Sequence, residues 1–325
     1  MKDGKAPGWD NIPIEAFKYS EVAKQELFRV VRLIWETEII PPELVKGVFI
    51  MLYKKNNKDD FKNYRAICLL CHAYKLLSSI ICRRLHADLE SSLPDSQAGF
   101  RPARGTRDNV CILKWTMNML LEKAQPAVIT FIDYTAAFDT ESQIFLDEAL
   151  RNSNVSVKVR RIIQSIFSVA SGCVRISNPD GSTGDSESFD ISRGVLQGDI
   201  FSPVAFIAGL MQTFSTHDLP EAGITVGTPP HEVSISGLEY ADDAALLDPN
   251  IDQASKRLRS ISSGSKKDAA MVISIPKTKV MHVHKKDRVS KTEEEEIAEM
   301  GFKHVCPDCA RDFPTKRGLS VHQGR

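Results

Sequence analysis

Leu77, Ile81, Leu85 and Leu89 recur at every fourth position, and Val110, Leu113, Met117 and Leu120 repeat at nearly the same interval. Each set lines one side of a helix with apolar groups and predicts an amphipathic helix packed on a core. The pattern then changes. Ala127 to Ile132, AVITFI, is apolar, β-branched and aromatic, and predicts a buried strand that ends at Asp133. Ile235 to Tyr240 and Ala244 to Leu247 predict two short strands around a tight acidic turn at Asp242 and Asp243. Cys173 to Ser177 and Glu187 to Ile191 predict a hairpin joined through the turn formers Asn178, Pro179, Asp180 and Gly181. In GVLQGDIFSP, Gly194 to Pro203, Ser202 is expected as N-cap and Pro203 as first residue of the apolar helix VAFIAGLMQTF. Residues 1 to about 125 are thus helix-rich and 126 to 281 alternate strands and helices, an α+β pattern. Beyond 281, HKKDRVSKTEEEEIAEM predicts a charged linker, 282 to 300, with a short acidic helix.

Composition bounds the partners. Of 325 residues, 42 are Lys or Arg and 42 Asp or Glu, so any nucleic-acid binding must come from local patches. Two basic stretches qualify. YKKNNKDDFKNYR, Tyr53 to Arg65, holds Lys54, Lys55, Lys58, Lys62 and Arg65, and GFRPARGTRD adds Arg101, Arg104 and Arg107. Composition favours a solvated charged loop for each, and phosphate-contacting surface is the functional alternative. No run reaches the roughly 18 apolar residues of a membrane span, and MKDGKAPGWD lacks the apolar core of a signal peptide. A soluble intracellular protein without membrane partners is expected. Seven cysteines, an odd number with five scattered through apolar segments, suit a reducing compartment.

The candidate chemistry lies in the carboxylates. Adjacent Asp242 and Asp243 repel unless a cation compensates them, and a hard oxygen-seeking ion such as magnesium suits carboxylates together with substrate phosphates. Two such ions, about 3.5–4 Å apart, would activate an attacking hydroxyl and stabilise a leaving pyrophosphate. Taken alone, Asp133 reads equally as a strand-end cap, and Asp242 with Asp243 as an ordinary hairpin turn. Gly194 and Gly198, around Gln197, permit close backbone approach to a ligand, and a plain loop entering a core helix is the other reading.

Taken in order, KAPGWDNIPIE, LYKK, NYRAICLL, QAGFRPARGTRDN, FIDYTAAFD, RGVLQGDIFSP, YADD and PKTKVM resemble the reverse transcriptase domain of non-LTR retrotransposons, over nearly all of the chain to about residue 281. The resemblance implies a right-hand polymerase with fingers at 1–125 and a palm at 126–281. It implies an RNA-directed DNA polymerase acting with an RNA template, a DNA primer and deoxynucleoside triphosphates, in the nucleus or a cytoplasmic ribonucleoprotein. Asp133 and Asp242 correspond to the residues that bind two catalytic Mg2+ ions, with Asp243 the third acidic member. Phe138 stands where a bulky side chain gates against a ribose 2′-hydroxyl. Gln197 and Gly198 match the motif contacting incoming nucleotide and template, and Arg65 with Lys54 or Lys55 matches residues that grip the triphosphate. Lys277 lies in the segment from which a lysine protonates the departing pyrophosphate. CLLCH, Cys68 to His72, also fits a haem-attachment pattern. It directly continues NYRAI, where the family has an apolar strand, so its cysteines are expected to pack as small hydrophobes.

At the C-terminus, residues 301–325 resemble a partial two-Cys, two-His zinc finger. Cys306, Cys309 and His322 have the C-x(2)-C-x(12)-H spacing of Zn2+ ligands, with Phe313 and Leu319 at the small-core positions. The fourth ligand, expected three to five residues after His322, would lie at or past Arg325. No segment resembles a thumb, so the chain reads as a fragment of a larger element protein or a decayed copy. A catalytically inactive nucleic-acid-binding fragment is therefore the second reading. A group II intron maturase, the third, would need a downstream maturation domain.

Overall fold

The computed structural model describes residues 1–55, 57–177, 183–219, 222–284, 304–305 and 312–313. The chain divides into two units, one of Met1–Ser92 with Phe138–Ala208, the other of Leu93–Ala137 with Gly209–Arg325. Residues 138–208 join the N-terminal stretch because the strand Ser171–Ser177 pairs in parallel with Lys46–Tyr53, Val48 opposite Cys173.

In the first unit, Lys46–Tyr53 also pairs antiparallel with Tyr64–Leu69, Val48 opposite Leu69 and Tyr53 opposite Tyr64. The expected hairpin is present with a divided return. Arg175 and Ile176 face Asp185 and Gly184 of the strand Thr183–Asp185, whereas Phe189–Asp190 pairs with Gly172 and Ser171. The connecting turn 178–181 lies outside the described residues. Helix His72–Leu89 buries Leu77, Ile81, Leu85 and Leu89 completely, as their spacing requires. The Cys68 and Cys71 thiols, both buried, are pushed up by burial to about 12 and about 11. Cys68 packs as a small hydrophobe, whereas the Cys71 sulfur caps helix His72–Leu89, accepting from the Tyr74 amide at 3.4 Å and donating to the Leu44 carbonyl at 3.2 Å.

Asp199 is the polar hub of this unit. Its buried carboxylate accepts from the hydroxyls of Tyr74 (3.1 Å), Ser78 and Ser202 (2.8 Å) and from the Ile200 amide (2.7 Å). Ser202 is therefore not the cap expected of it. It is the first residue of helix Ser202–His217 and spends its hydroxyl on Asp199. Glu141 is the opposite case: 1% exposed, with neither carboxyl oxygen hydrogen-bonded.

In the second unit a sheet runs in the order Gly237–Tyr240, Asp243–Asp248, Ala127–Ile132, Lys279–Val283, His304–Val305, Asp312–Phe313. Ala127–Ile132 is apolar but for the buried Thr130, and both its faces are covered. Ala127 and Ile129 share a core with Leu120 of helix Thr106–Glu122 and with Ile224, Val226 and Ile235 of the hairpin Ile224–Thr228/His231–Ile235. Val128 packs oppositely against Ile251 and Ala254 of helix Ile251–Asp268. Ile235 thus closes its own hairpin, and the strand before the acidic turn starts at Gly237. Val110, expected in the core, is 49% exposed, whereas Leu113 and Met117 are partly buried and Leu120 fully. No described helix is long and apolar enough to cross a membrane.

Burial pushes the Glu141 carboxyl well above the ordinary carboxylate range. An acid whose folded pKa exceeds its unfolded value favours folding at low pH, and that contribution drains away as pH rises past the unfolded value of about 4.3. Glu141→Gln should therefore flatten the fall in stability between pH 5 and 8, read as urea-unfolding midpoints at several pH values; an unchanged slope would show that Glu141 does not set it.

Candidate active site

Asp133 follows directly on the strand Ala127–Ile132, and the next stretch, Tyr134–Thr135, pairs with Val272–Ile273. Lys279–Val283 in turn pairs with the Asp133 strand, Lys279 opposite Phe131. The loop 274–278 is thus tied on both sides of Asp133. The Ser274 amide donates to the Asp133 carbonyl at 2.7 Å, and the Lys277 ammonium donates to Asp133 Oδ1 at 3.0 Å. Lys277 and Asp133 keep 62% and 32% of their side-chain surface exposed, so solvent screens this ion pair.

The acidic turn sits on the neighbouring strand. Asp243–Asp248 runs antiparallel to Ala127–Ile132 with Ala244 opposite Ile132, which brings Asp243 level with Asp133. Tyr240 faces Asp243 across the hairpin, and Ala241 turns the chain at φ 55°, a left-handed conformation uncommon for a residue bearing a Cβ. Burial raises the Asp242 carboxyl above its ordinary value, Asp243 and Asp133 add to the push, and Lys277 opposes it. Asp243 is more exposed, yet partial enclosure and the charge of Asp133 raise it too. The three carboxylates lie within electrostatic reach of one another, with a cation already on Asp133. As the side chains stand, no three His, Cys, Asp or Glu among the described residues form a group that could hold a metal.

The other expected residues lie in the first unit. Lys54, Lys55 and Arg65 are exposed. Lys54 and Arg65 both act on Asp139, whose carboxyl is raised by the enclosure of its neighbours and pulled back by these two cations. Phe138 is half-buried and stacks on Phe206, ring centroids 4.2 Å apart. The loop with Gln197 and Gly198 is laced to the same stretch: the Val195 amide donates to the Phe138 carbonyl (2.7 Å) and the Gly194 amide to that of Glu141 (2.9 Å). Gln197 accepts from the Cys68 amide at 2.9 Å. The two glycines do permit close approach, but to protein backbone. A Cβ on Gly194 (φ 70°) would stand 2.5 Å from the Phe138 carbonyl oxygen, and one on Gly198 (φ 124°) 2.5 Å from that of Cys68.

Two of the three arginines in GFRPARGTRD serve structure. Arg101 is buried and donates to the carbonyls of Pro94 (2.6 Å) and Gln97 (3.0 Å), and Arg104 pairs with Asp95 at 2.6 Å. Cys306, Cys309 and His322 lie outside the described residues. Two residues that pattern reading passed over stand out, Asp199 and Gln97. The first follows directly on Gln197 and Gly198, and the second grips the Ala241 peptide through both of its groups. Asp199 follows Gly198 directly and Gln97 stands two residues before Gly99, and a polar residue close to a glycine is the signal the sequence offered for each.

Comparisons with known proteins agree with this architecture. The model of the family "Reverse transcriptase (RNA-dependent DNA polymerase)" matches residues 53–304. The chain is 26% identical over 246 residues to the retrovirus-related Pol polyprotein from type-1 retrotransposable element R2 of Popillia japonica, covering 75% of this chain and 33% of that protein. It is 27% identical over 251 residues to the RNA-directed DNA polymerase from mobile element jockey of Drosophila funebris, covering 76% and 26%. The chain therefore spans about a third or less of these curated relatives' length. In fold it is similar to apo telomerase from Candida tropicalis truncated from its C-terminal domain, with TM-score 0.55 and 15% identity, over 82% of this chain and 56% of that one. The mixed helix and sheet architecture is that of reverse transcriptase fingers and palm, and with the family model matched over residues 53–304 the chain belongs to the reverse transcriptase family.

Proposed function

We propose that this chain is the RNA-directed DNA polymerase domain of a non-LTR retrotransposon, adding deoxynucleotides to a DNA primer on an RNA template. The observation that carries the reading is the strand pairing that sets Asp243 level with Asp133 and puts Asp242 beside them. Family membership and the likeness to proteins named for retrotransposable elements support it.

Asp133, Asp242 and Asp243 would hold two magnesium ions, which supply activation of the primer hydroxyl and stabilisation of the leaving pyrophosphate. Every other part falls to side chains of this chain. Arg65, Lys54 and Lys55 offer exposed positive charge to a triphosphate, and Asp139 tempers that charge at Lys54 and Arg65. Phe138, its ring held by Phe206, is the gate against a 2′-hydroxyl. Gln197 would meet nucleotide and template from a loop fastened by backbone hydrogen bonds, and Gly198 lets that loop lie against the Cys68 backbone. Lys277 is the proton donor to pyrophosphate, a role that requires it to leave Asp133.

The rival reading, an inactive nucleic-acid-binding fragment whose zinc site would be Cys306, Cys309 and His322, draws on one observation. Lys277 pairs with Asp133.

Primer extension on an RNA template, with Mn2+ binding followed by electron paramagnetic resonance, separates the two. Asp133→Asn and Asp242→Asn should each weaken Mn2+ binding and lower extension by about 100-fold or more. Binding and extension unaffected by Asp242→Asn would sink the enzyme reading. Phe138→Val should leave deoxynucleotide use in place while raising ribonucleotide incorporation about 10–200-fold; an unchanged ratio would remove Phe138 from the gate.

A further inference from the structure

Behind the acidic turn lies a cradle that neither the family match nor the carboxylates account for. Gln97 is fully buried, and its side-chain amide closes on the Ala241 peptide from both sides. Oε1 accepts from the Ala241 amide at 2.9 Å, and Nε2 donates to the Ala241 carbonyl at 3.3 Å. The same Oε1 accepts from the Gly99 amide at 2.7 Å. A carboxamide carries one acceptor and one donor group side by side, so it satisfies both backbone groups of a single residue, spanning the two peptide units on either side of its Cα, as a neighbouring strand would. Glutamate lacks the donor, and asparagine lacks the reach.

What Gln97 holds is Ala241, in the left-handed conformation that L-residues avoid. The peptide it fixes leads directly into Asp242. Space for the grip comes from Gly99, where an added Cβ would stand 2.2 Å from the Ala241 nitrogen. The segment is itself anchored along the strand before the turn. Ala98 donates to the Glu239 carbonyl at 2.8 Å, Glu239 donates to the Ser96 carbonyl at 2.9 Å, and the Asn109 amide caps the Glu239 carbonyl at 2.8 Å. Arg101 then holds the Gln97 carbonyl from behind at 3.0 Å. The same guanidinium donates to the Pro94 carbonyl at 2.6 Å.

We propose that Gln97, given its clearance by Gly99, is the positioning residue that fixes the Ala241 peptide and so aims Asp242. The catalytic half of this statement rests on the polymerase reading above, and the conformational half stands without it.

The experiment is hydrogen–deuterium exchange of the whole chain, read by peptide, beside steady-state primer extension. Gln97→Glu replaces the amide donor with almost no change of shape but adds a carboxyl to a buried site, so Gln97→Met, which adds no charge, is run beside it, and Gly99→Ala tests the cradle from its other side. Each is expected to speed exchange at residues 238–246 by up to about tenfold, the scale of one lost hydrogen bond, with residues 127–132 unchanged. Extension should lose kcat with KM for the nucleotide held. Unchanged exchange at 238–246, or a uniform rise along the whole chain, would overturn the proposal. Local loosening in a protein that shows no extension even as wild type would uphold the positioning role and sink the polymerase reading instead.

Discussion

The antiparallel ladder between Ala127–Ile132 and Asp243–Asp248 is the constraint on which the rest of the second unit depends. It brings carboxylates more than a hundred residues apart in sequence to one sheet end, where their charges oppose one another. Backbone hydrogen bonds have to hold what electrostatics would separate, and both faces of the central strand are therefore buried. Helix Thr106–Glu122, the Ile224–Thr228/His231–Ile235 hairpin and helix Ile251–Asp268 supply the apolar cover. Lys277 offsets part of the remaining charge from a loop that the sheet fastens on both sides.

The first unit meets a different demand, placing a loop close to backbone without side chains intervening. Gly194 and Gly198 make that approach sterically possible, and Asp199 locks the loop's exit by collecting three hydroxyls and an amide. Such a hub is stable because each lone pair taken from water finds a donor. Glu141, in the same unit, lacks that compensation, and burial pushes its carboxyl well above the ordinary carboxylate range instead.

In both units the charged residues divide by what backbone lies within their reach. Arg101 and Arg104 are spent on carbonyls and Asp95, while Lys54, Lys55 and Arg65 remain exposed. From composition the two basic stretches looked alike, because a guanidinium bonded to a carbonyl and one left for a phosphate have the same sequence.

Periodicity and motif order sufficed for the strand before Asp133, the helix His72–Leu89, the acidic hairpin and the identity of the family, since burial imposes its spacing locally and motifs survive as short words. The return of the Ser171–Ser177 hairpin, the start of helix Ser202–His217 at Ser202 and the exposure of Val110 depend on distant partners that spacing does not encode. The tertiary structure alone decided that Ser171–Ser177 pairs beside Lys46–Tyr53, that Lys277 rests on Asp133, and that Gln97 reaches Ala241 across 144 positions. Each of those is a long-range hydrogen bond or ion pair, and its partner becomes a neighbour only once the sheets have formed.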